Sequence, residues 1–295
     1  MTVPIGGFGA LSSPPRPDGW FDPAAHLGRR GWKYLTPATR FLLAAANLAL
    51  GRQQGDPAAS GQDSTGLGVF TGTHQCITGL HEKLYRTIRQ EGVGELSPVE
   101  LPGFAANIPA TQLAITLGAR ACAVTLTNPV TGGLEGVLLG AQAIRRGRAA
   151  RVLATAAEQA APGAPGEGAG VLVLGGAVDR PQGTVLGGVS RFLPDPGGPA
   201  LPADLGVELA ASLAGVGPVR VVACGPARTA PLADALGTEL AGSGVPIAGT
   251  DYTEARHGTV SPLLTMGALL ERPGAAVVLA ASGRGHLCAL ALRSH

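Results

Sequence analysis

Val171-Leu172-Val173-Leu174 is an unbroken apolar run at the end of the stretch Gly170–Leu174. Successive side chains of a strand point to opposite faces, so such a run needs cover on both sides. A sheet with one face in water is therefore excluded at this point in the chain. Other short runs rich in small apolar and β-branched residues are Gly66–Thr71, Ala121–Thr127, Ala150–Thr155, Val219–Ala223 and Ala276–Ala281. Between them, helical patterns cover Pro37–Gly51, Gln75–Gln90, Ala105–Gly118, Gly132–Arg146, Ala230–Gly242 and Ser261–Glu271. Strands alternating with helices predict a layered α/β fold.

Helix ends are marked by Gly118 and Gly147 just past the last turns, with Arg145 and Arg146 where cations favour the helix dipole. The stretch Asp179–Asp204 is rich in Pro and Gly and is expected to connect two unequal parts, and Ala160–Gly168 is a shorter turn-rich connection. No solenoid-like repeat is present.

Composition narrows the function classes. A net charge of +2 and the lack of a conspicuous Lys/Arg run argue against a nucleic-acid partner. Cys76, Cys122, Cys224 and Cys288 lie far apart with no CxxC pair, so neither a zinc site nor a disulfide framework is expected. His74 and His81, seven apart on one predicted helix face, have no acidic or cysteine companion and are expected at the surface. The N-terminus has no secretory pattern, and apolar stretches such as Phe41–Leu50 are too short for a bilayer. A cytoplasmic protein with no membrane association, metal or cofactor is expected.

Several segments, in order, resemble β-ketoacyl synthases of the thiolase fold, and more closely their non-catalytic partners, the chain length factors. They are Phe21-Asp22-Pro23-Ala24-Ala25, Leu35–Arg40, Gly68-Val69-Phe70-Thr71-Gly72-Thr73, Phe104–Gly118, Val124–Gly147, Arg151–Glu158, Gly166–Leu174 and Val219–Leu240. The resemblance implies a thiolase-like layered αβαβα fold of two similar halves, 1–178 and 179–295. The regions after Glu158 and after His257 are shorter than in full ketosynthases, so the member is a trimmed one.

Acyl condensation needs a thiolate at a helix tip and two histidines. Counting back from Arg145-Arg146-Gly147, the resemblance puts Val130 at the nucleophile position, in Thr127-Asn128-Pro129-Val130-Thr131-Gly132-Gly133. A shift of register offers Pro129, Asn128 or Thr131, and none is a cysteine. Gly132-Gly133-Leu134 resembles the Gly-Gly-Leu of chain length factors. The first histidine position falls on Cys224. The second is retained as His257 if one residue is inserted, and His286 sits near a glycine-rich turn. Glu135 and Glu158 are expected to be solvated or structural carboxylates. Gly166-Glu167-Gly168-Ala169-Gly170 precedes a strand, so a dinucleotide loop is excluded.

The resemblance implies a catalytically inactive subunit that pairs with an active ketosynthase and, through that pair, meets an acyl carrier protein and its acyl chain. The pairing strand would lie near Ala121–Thr127. Phe104, Asn107, Ile108, Thr111 and Gln112, with Val130, would line an acyl tunnel or the interface, in a highly reducing type II polyketide system. Core packing is the alternative for Ile108, Leu113 and Ile115. A second reading stays open: an atypical acyltransferase or decarboxylase using Cys224 with His257 as its base.

Overall fold

A computed structural model describes residues 2–14, 19–52, 64–161, 165–193, 201–202 and 204–295. Its strands are β1 (Val3–Ser12), β2 (Leu67–Gly72), β3 (Cys122–Leu126), β4 (Arg151–Glu158), β5 (Gly168–Gly175), β6 (Gly183–Phe192), β7 (Val219–Gly225), β8 (Ile247–Glu254), β9 (Gly274–Ala281) and β10 (His286–Ser294). Its helices are α1 (Pro23–Leu27), α2 (Pro37–Ala49), α3 (Thr78–Gln90), α4 (Ile108–Leu117), α5 (Gly132–Arg145), α6 (Leu205–Ser212), α7 (Pro231–Gly242) and α8 (Ser261–Leu270).

The strands join in the order β3-β2-β4-β5-β1-β6-β10-β9-β7-β8. Read from the outside inward, β3-β2-β4-β5-β1 and β8-β7-β9-β10-β6 follow one plan, with parallel outer strands and antiparallel inner ones. The two sets meet only through a short antiparallel bridge, Val3–Ile5 against Gly183–Val185. This is the thiolase-like ketosynthase architecture.

Packing supplies the layers. Helices α5 and α8 touch each other and strands of both sets, so they form a central layer. Helices α2 and α4 cover the outside of the first set, and α6 and α7 the outside of the second. The alternation in β5 shows how: Leu172 and Leu174 join the central core, while Val171 and Val173 pack in the outer core with Phe41, Leu42 and Leu113. All eight residues of β5 are buried, as the unbroken apolar run requires.

Three sequence expectations are corrected. Asp179–Asp204 is no simple connection, because Gly183–Phe192 is strand β6, while 194–200 and 203 lie outside the described residues. Its burial alternates inside the sheet, a period-2 signal diluted by three glycines. The helix expected from Ala105 begins at Ile108, with Pro109 in its first turn, and Phe104 instead ends a 3-10 turn, Leu101–Phe104. Helix α3 begins at Thr78, so His74 lies before it and shares no helix face with His81. Residues 162–164 of the Ala160–Gly168 connection also fall outside the described residues. Among the described residues no helix is long and apolar enough to cross a membrane.

The central layer is held by a close backbone approach. A Cβ on Gly72, at the end of β2, would lie 2.2 Å from Gly133 N, and one on Gly133 would lie 2.2 Å from Thr259 O. Neither opposing atom is a flexible side chain, so no larger residue fits. Gly133→Ala is expected to cost about 3 kcal/mol or more and to lower the melting temperature by roughly 5 °C or more, as read by calorimetry.

Candidate functional site

The site lies where β3 turns into α5. Val130 has φ 63°, making it the sole non-glycine residue in the left-handed region among the described residues. A β-branched side chain is a pronounced outlier there. The turn is closed by Thr131 N–H donating to Pro129 O at 2.7 Å, with Gly132 N–H donating to Asn128 O at 3.1 Å. A three-residue turn with positive φ at its centre is rare and strained, at a cost of about 1–3 kcal/mol. The strain singles out Val130 at the head of the central helix. Asn128 braces the turn by donating Nδ2–H to Glu135 Oε2 at 2.8 Å.

Val130 lines a cleft of about 560 Å3 together with His74, Gln75, Pro129, Glu158, Arg228, Arg256 and Arg284. Its side chain offers neither a lone pair nor a proton, so the presented residue cannot be a nucleophile. Thr131 beside it is fully buried, and its hydroxyl has no hydrogen-bond partner, hence no base within reach.

Glu158, at the end of β4, organises the floor. It accepts from His74 N at 2.9 Å, Gln75 N at 2.8 Å, Thr259 Oγ1 at 2.6 Å and Thr259 N at 3.4 Å. It thereby ties the β2 exit to the entry of α8. Burial pushes its carboxyl above the usual range, against the pull of these donors. The carboxylate is structural, as expected, and is buried, not solvated. Glu135 is likewise buried. A charged residue closing an otherwise apolar strand was the available signal.

The proposed Cys224–His257 pair finds no support in the geometry. Cys224 ends β7 with no exposed surface, and burial pushes its thiol up to about 12, against a hydrogen bond with Thr265. His257 places Nε2 3.1 Å from Ser13 O, and its ring packs where a Cβ on Gly166 would sit. A thiol sealed in this way is neither ionised nor reachable. His286 opens β10 and lies edge-on to Phe192.

Of the six residues expected at a tunnel or interface, Val130 lines the cleft and the other five fall outside it. Phe104 is 53% exposed and packs at a tilt against His81, with ring centroids 4.4 Å apart. Asn107 precedes α4 and is exposed, while Ile108, Thr111 and Gln112 are half-buried on α4. Of the residues for which core packing was the alternative, Leu113 is buried but Ile115 is 68% exposed. Sequence reasoning missed Arg228, whose guanidinium donates to Gly283 O at 3.0 Å and bridges two loops at the mouth of the cleft. It also missed Thr259, which completes the Glu158 clamp.

A ten-strand, five-layer fold with a strained turn at the head of a central helix defines a ketosynthase-like protein of the thiolase type. Residues 18–163, just under half of the chain, match the family model of the β-ketoacyl synthase N-terminal domain. Polyketide synthase GfsA of Streptomyces halstedii is 34% identical over 146 residues, which span 49% of this chain but only 2% of that much longer protein. The solved structure of the ishigamide ketosynthase/chain length factor aligns with a TM-score of 0.75 at 21% identity, covering 100% of this chain and 99% of that one. AntDE:AntF, a type II polyketide synthase acyl-carrier protein in complex with its ketosynthase bound to the hexaketide, aligns with a TM-score of 0.75 at 17% identity, covering 100% and 99%.

The burial of Cys224 sets a test. In the native protein a maleimide should label the half-exposed Cys122 at least about a hundredfold faster than Cys224, which should react only on unfolding. Incubation with acyl thioesters should leave Cys224 unmodified by intact-mass measurement. An adduct there would restore the acyltransferase reading.

Proposed function

We propose that the protein is a chain-length-factor-like subunit of a type II polyketide synthase, inactive by itself and paired with an active ketosynthase. The observation that carries this reading is Val130. The strained turn that presents a nucleophile is kept, but it presents a valine. Unused strain of 1–3 kcal/mol or so is retained only where the surrounding structure dictates it. The working surface is then the one facing the partner.

Strand β3 lies at one edge of the sheet and is only partly buried. An edge strand offers a row of unpaired backbone groups to another chain. Helix α4 packs against β3, with the turn Leu101–Phe104 and then α3 packed beyond it, and on these elements and the turns between them Tyr85, Val99, Leu101, Phe104 and Ile115 are exposed apolar side chains. A monomer rarely leaves such a set uncovered. Pairing through β3 would bury them and bring Phe104, Asn107, Ile108, Thr111 and Gln112 to the seam, where they would shape an acyl tunnel limiting chain length. The division at 178/179 belongs to this reading, falling between β5 and β6. The carrier protein would meet the pair and its acyl chain, in the cytoplasm. The trimmed loops favour a highly reducing system.

Co-expression tests the pairing. The chain should co-purify with the ketosynthase of its synthase, and Ile115→Asp should weaken that association by about tenfold or more without changing the melting temperature, since a buried unpaired carboxylate is costly at an interface. Failure to co-purify with any such ketosynthase would sink the proposal.

The tunnel assignment has its own measurement. Phe104→Ala in an intact pair should lengthen the product by at least one extension unit, read by mass spectrometry. Unchanged products from an intact pair would remove Phe104 from the tunnel.

A further inference from the structure

The two ends of the strand order, β3 and β8, are covered unequally on their inner faces. Helix α5 runs for 14 residues and packs on both β2 and β3, the outer strands of its set. Helix α8 holds the corresponding place in the second set, but it runs for 10 residues and packs on β9 and β7. A groove of about 840 Å3 opens between α8 and the inner face of β7 and β8, with Val222, Leu264, Ala268 and Leu269 in its apolar lining. Strand β8 itself has no strand on its free side among the described residues, and it exposes Ala248, Asp251, Thr253 and Glu254. Such an edge carries unpaired backbone groups.

The charges around this groove balance. Arg220, Arg256 and Arg272 line it with Asp251, Glu254 and Glu271, and the neighbouring His257 is tied to Ser13 O. Arg220 pairs with Asp251 at 2.5 Å, so the charge on the inner face of β8 is already neutralised. Arg256 and Glu254 are 3.6 Å apart, with more than half of each side chain exposed. Glu271 and Arg272 form no ion pair among the described residues, and all of residues 271–274 are exposed. Strand register fixes where these groups stand. Val219 is level with Ile247 and with Ala275, while Gly225 is level with Glu254. Residues 271–274, which lead into β9, therefore lie at the Ile247 end of β8, and Glu254 and Arg256 at the opposite end.

We infer that the β8 edge is a contact between two copies of this chain. The two β8 strands pair antiparallel about a two-fold axis, and the exposed turn 271–274 of each copy enters the groove of the other. A two-fold contact sets one patch against itself, so the patch must carry both signs in matching number. Antiparallel pairing brings the Ile247 end of one β8 to the Glu254 end of the other. Arg272 then faces Glu254 of the second copy, and Glu271 faces Arg256, so each charge left unpaired in one chain meets its opposite. A polyanion or an anionic membrane finds no excess cation here, because the six charges cancel. A small apolar ligand could fill the groove but would leave the β8 edge unpaired. The inference goes beyond the proposed function, since it uses the second half alone and leaves β3 free.

Sedimentation velocity on the full chain is the test. The chain should sediment at twice its mass of 29.4 kDa. Arg272→Glu and Glu254→Arg should each raise the dimer dissociation constant by about tenfold or more. Combined in one chain, the two reversals should restore it to within about threefold of the original value. Both positions are exposed, so the far-UV circular dichroism spectrum should stay unchanged. Ile115→Asp, on the β3 side, should leave this dimer intact. A chain that stays monomeric at about 100 μM overturns the inference. So does a dimer that Ile115→Asp abolishes, or one in which the two charge reversals are simply additive. The pairing reading is judged separately. If no ketosynthase co-purifies, that reading fails while the measurement on the chain alone still decides the β8 contact; if one does, the pair should sediment at twice the mass of a single pair.

Discussion

Helices α5 and α8 lie between two sets of strands and touch both, so neither can present a polar face to water. Their sequences answer that constraint with small and aliphatic residues. In α5, Leu134, Val137, Leu138 and Ala141 are buried, and in α8, Leu263 and Met266. Where the layers converge, backbones of β2, α5 and the turn before α8 approach so closely that Gly72 and Gly133 leave no room for a Cβ. The height at which α5 begins, and therefore the place at which Val130 emerges, is set by that contact.

Two further devices hold the head of α5. Glu158 gathers donors from the β2 exit and from Thr259, joining the two halves of the strand order through one buried carboxylate. Four donors and no charged partner keep it satisfied despite its burial. Asn128 and Glu135 clamp the turn from the other side. Between these clamps the backbone at Val130 has no freedom to relax, which is why a β-branched residue sits at positive φ. The strained turn thus holds an apolar side chain at the head of α5.

The surface is divided as sharply as the interior. The outer layers α2 with α4 and α6 with α7 seal their halves, and the leucines of α6 and α7 are largely buried. The face that runs from the edge strand β3 across α4 to α3 is different, leaving apolar side chains exposed. The loop before α2 is different again, with its cations displayed on a backbone that Arg40 fixes. Exposed apolar side chains and displayed cations therefore both belong to the first half, and no cysteine is among the residues lining the Val130 cleft.

Features carried by one side chain or one short run were legible in the sequence. Val171–Leu174 required cover on both faces, because alternation sends neighbouring residues to opposite sides, and the structure supplies it. That Val130 carries no thiol could be read from the sequence alone, since side-chain chemistry is a property of one residue. Strands β1, β6, β8 and β10 were not legible, because glycine, proline and polar residues break their patterns and their identity depends on the neighbour they pair with. The helix expected from Ala105 starts only at Ile108, since propensity does not reveal where the turn after Leu101–Phe104 gives way to α4. The sequence by itself determined a core strand covered on both faces and an apolar residue before α5, because those follow from local chemistry. Only the tertiary structure decided that Cys224 is sealed, that Glu158 is a clamp and that the turn at Val130 is strained, because each depends on atoms brought together from distant parts of the chain.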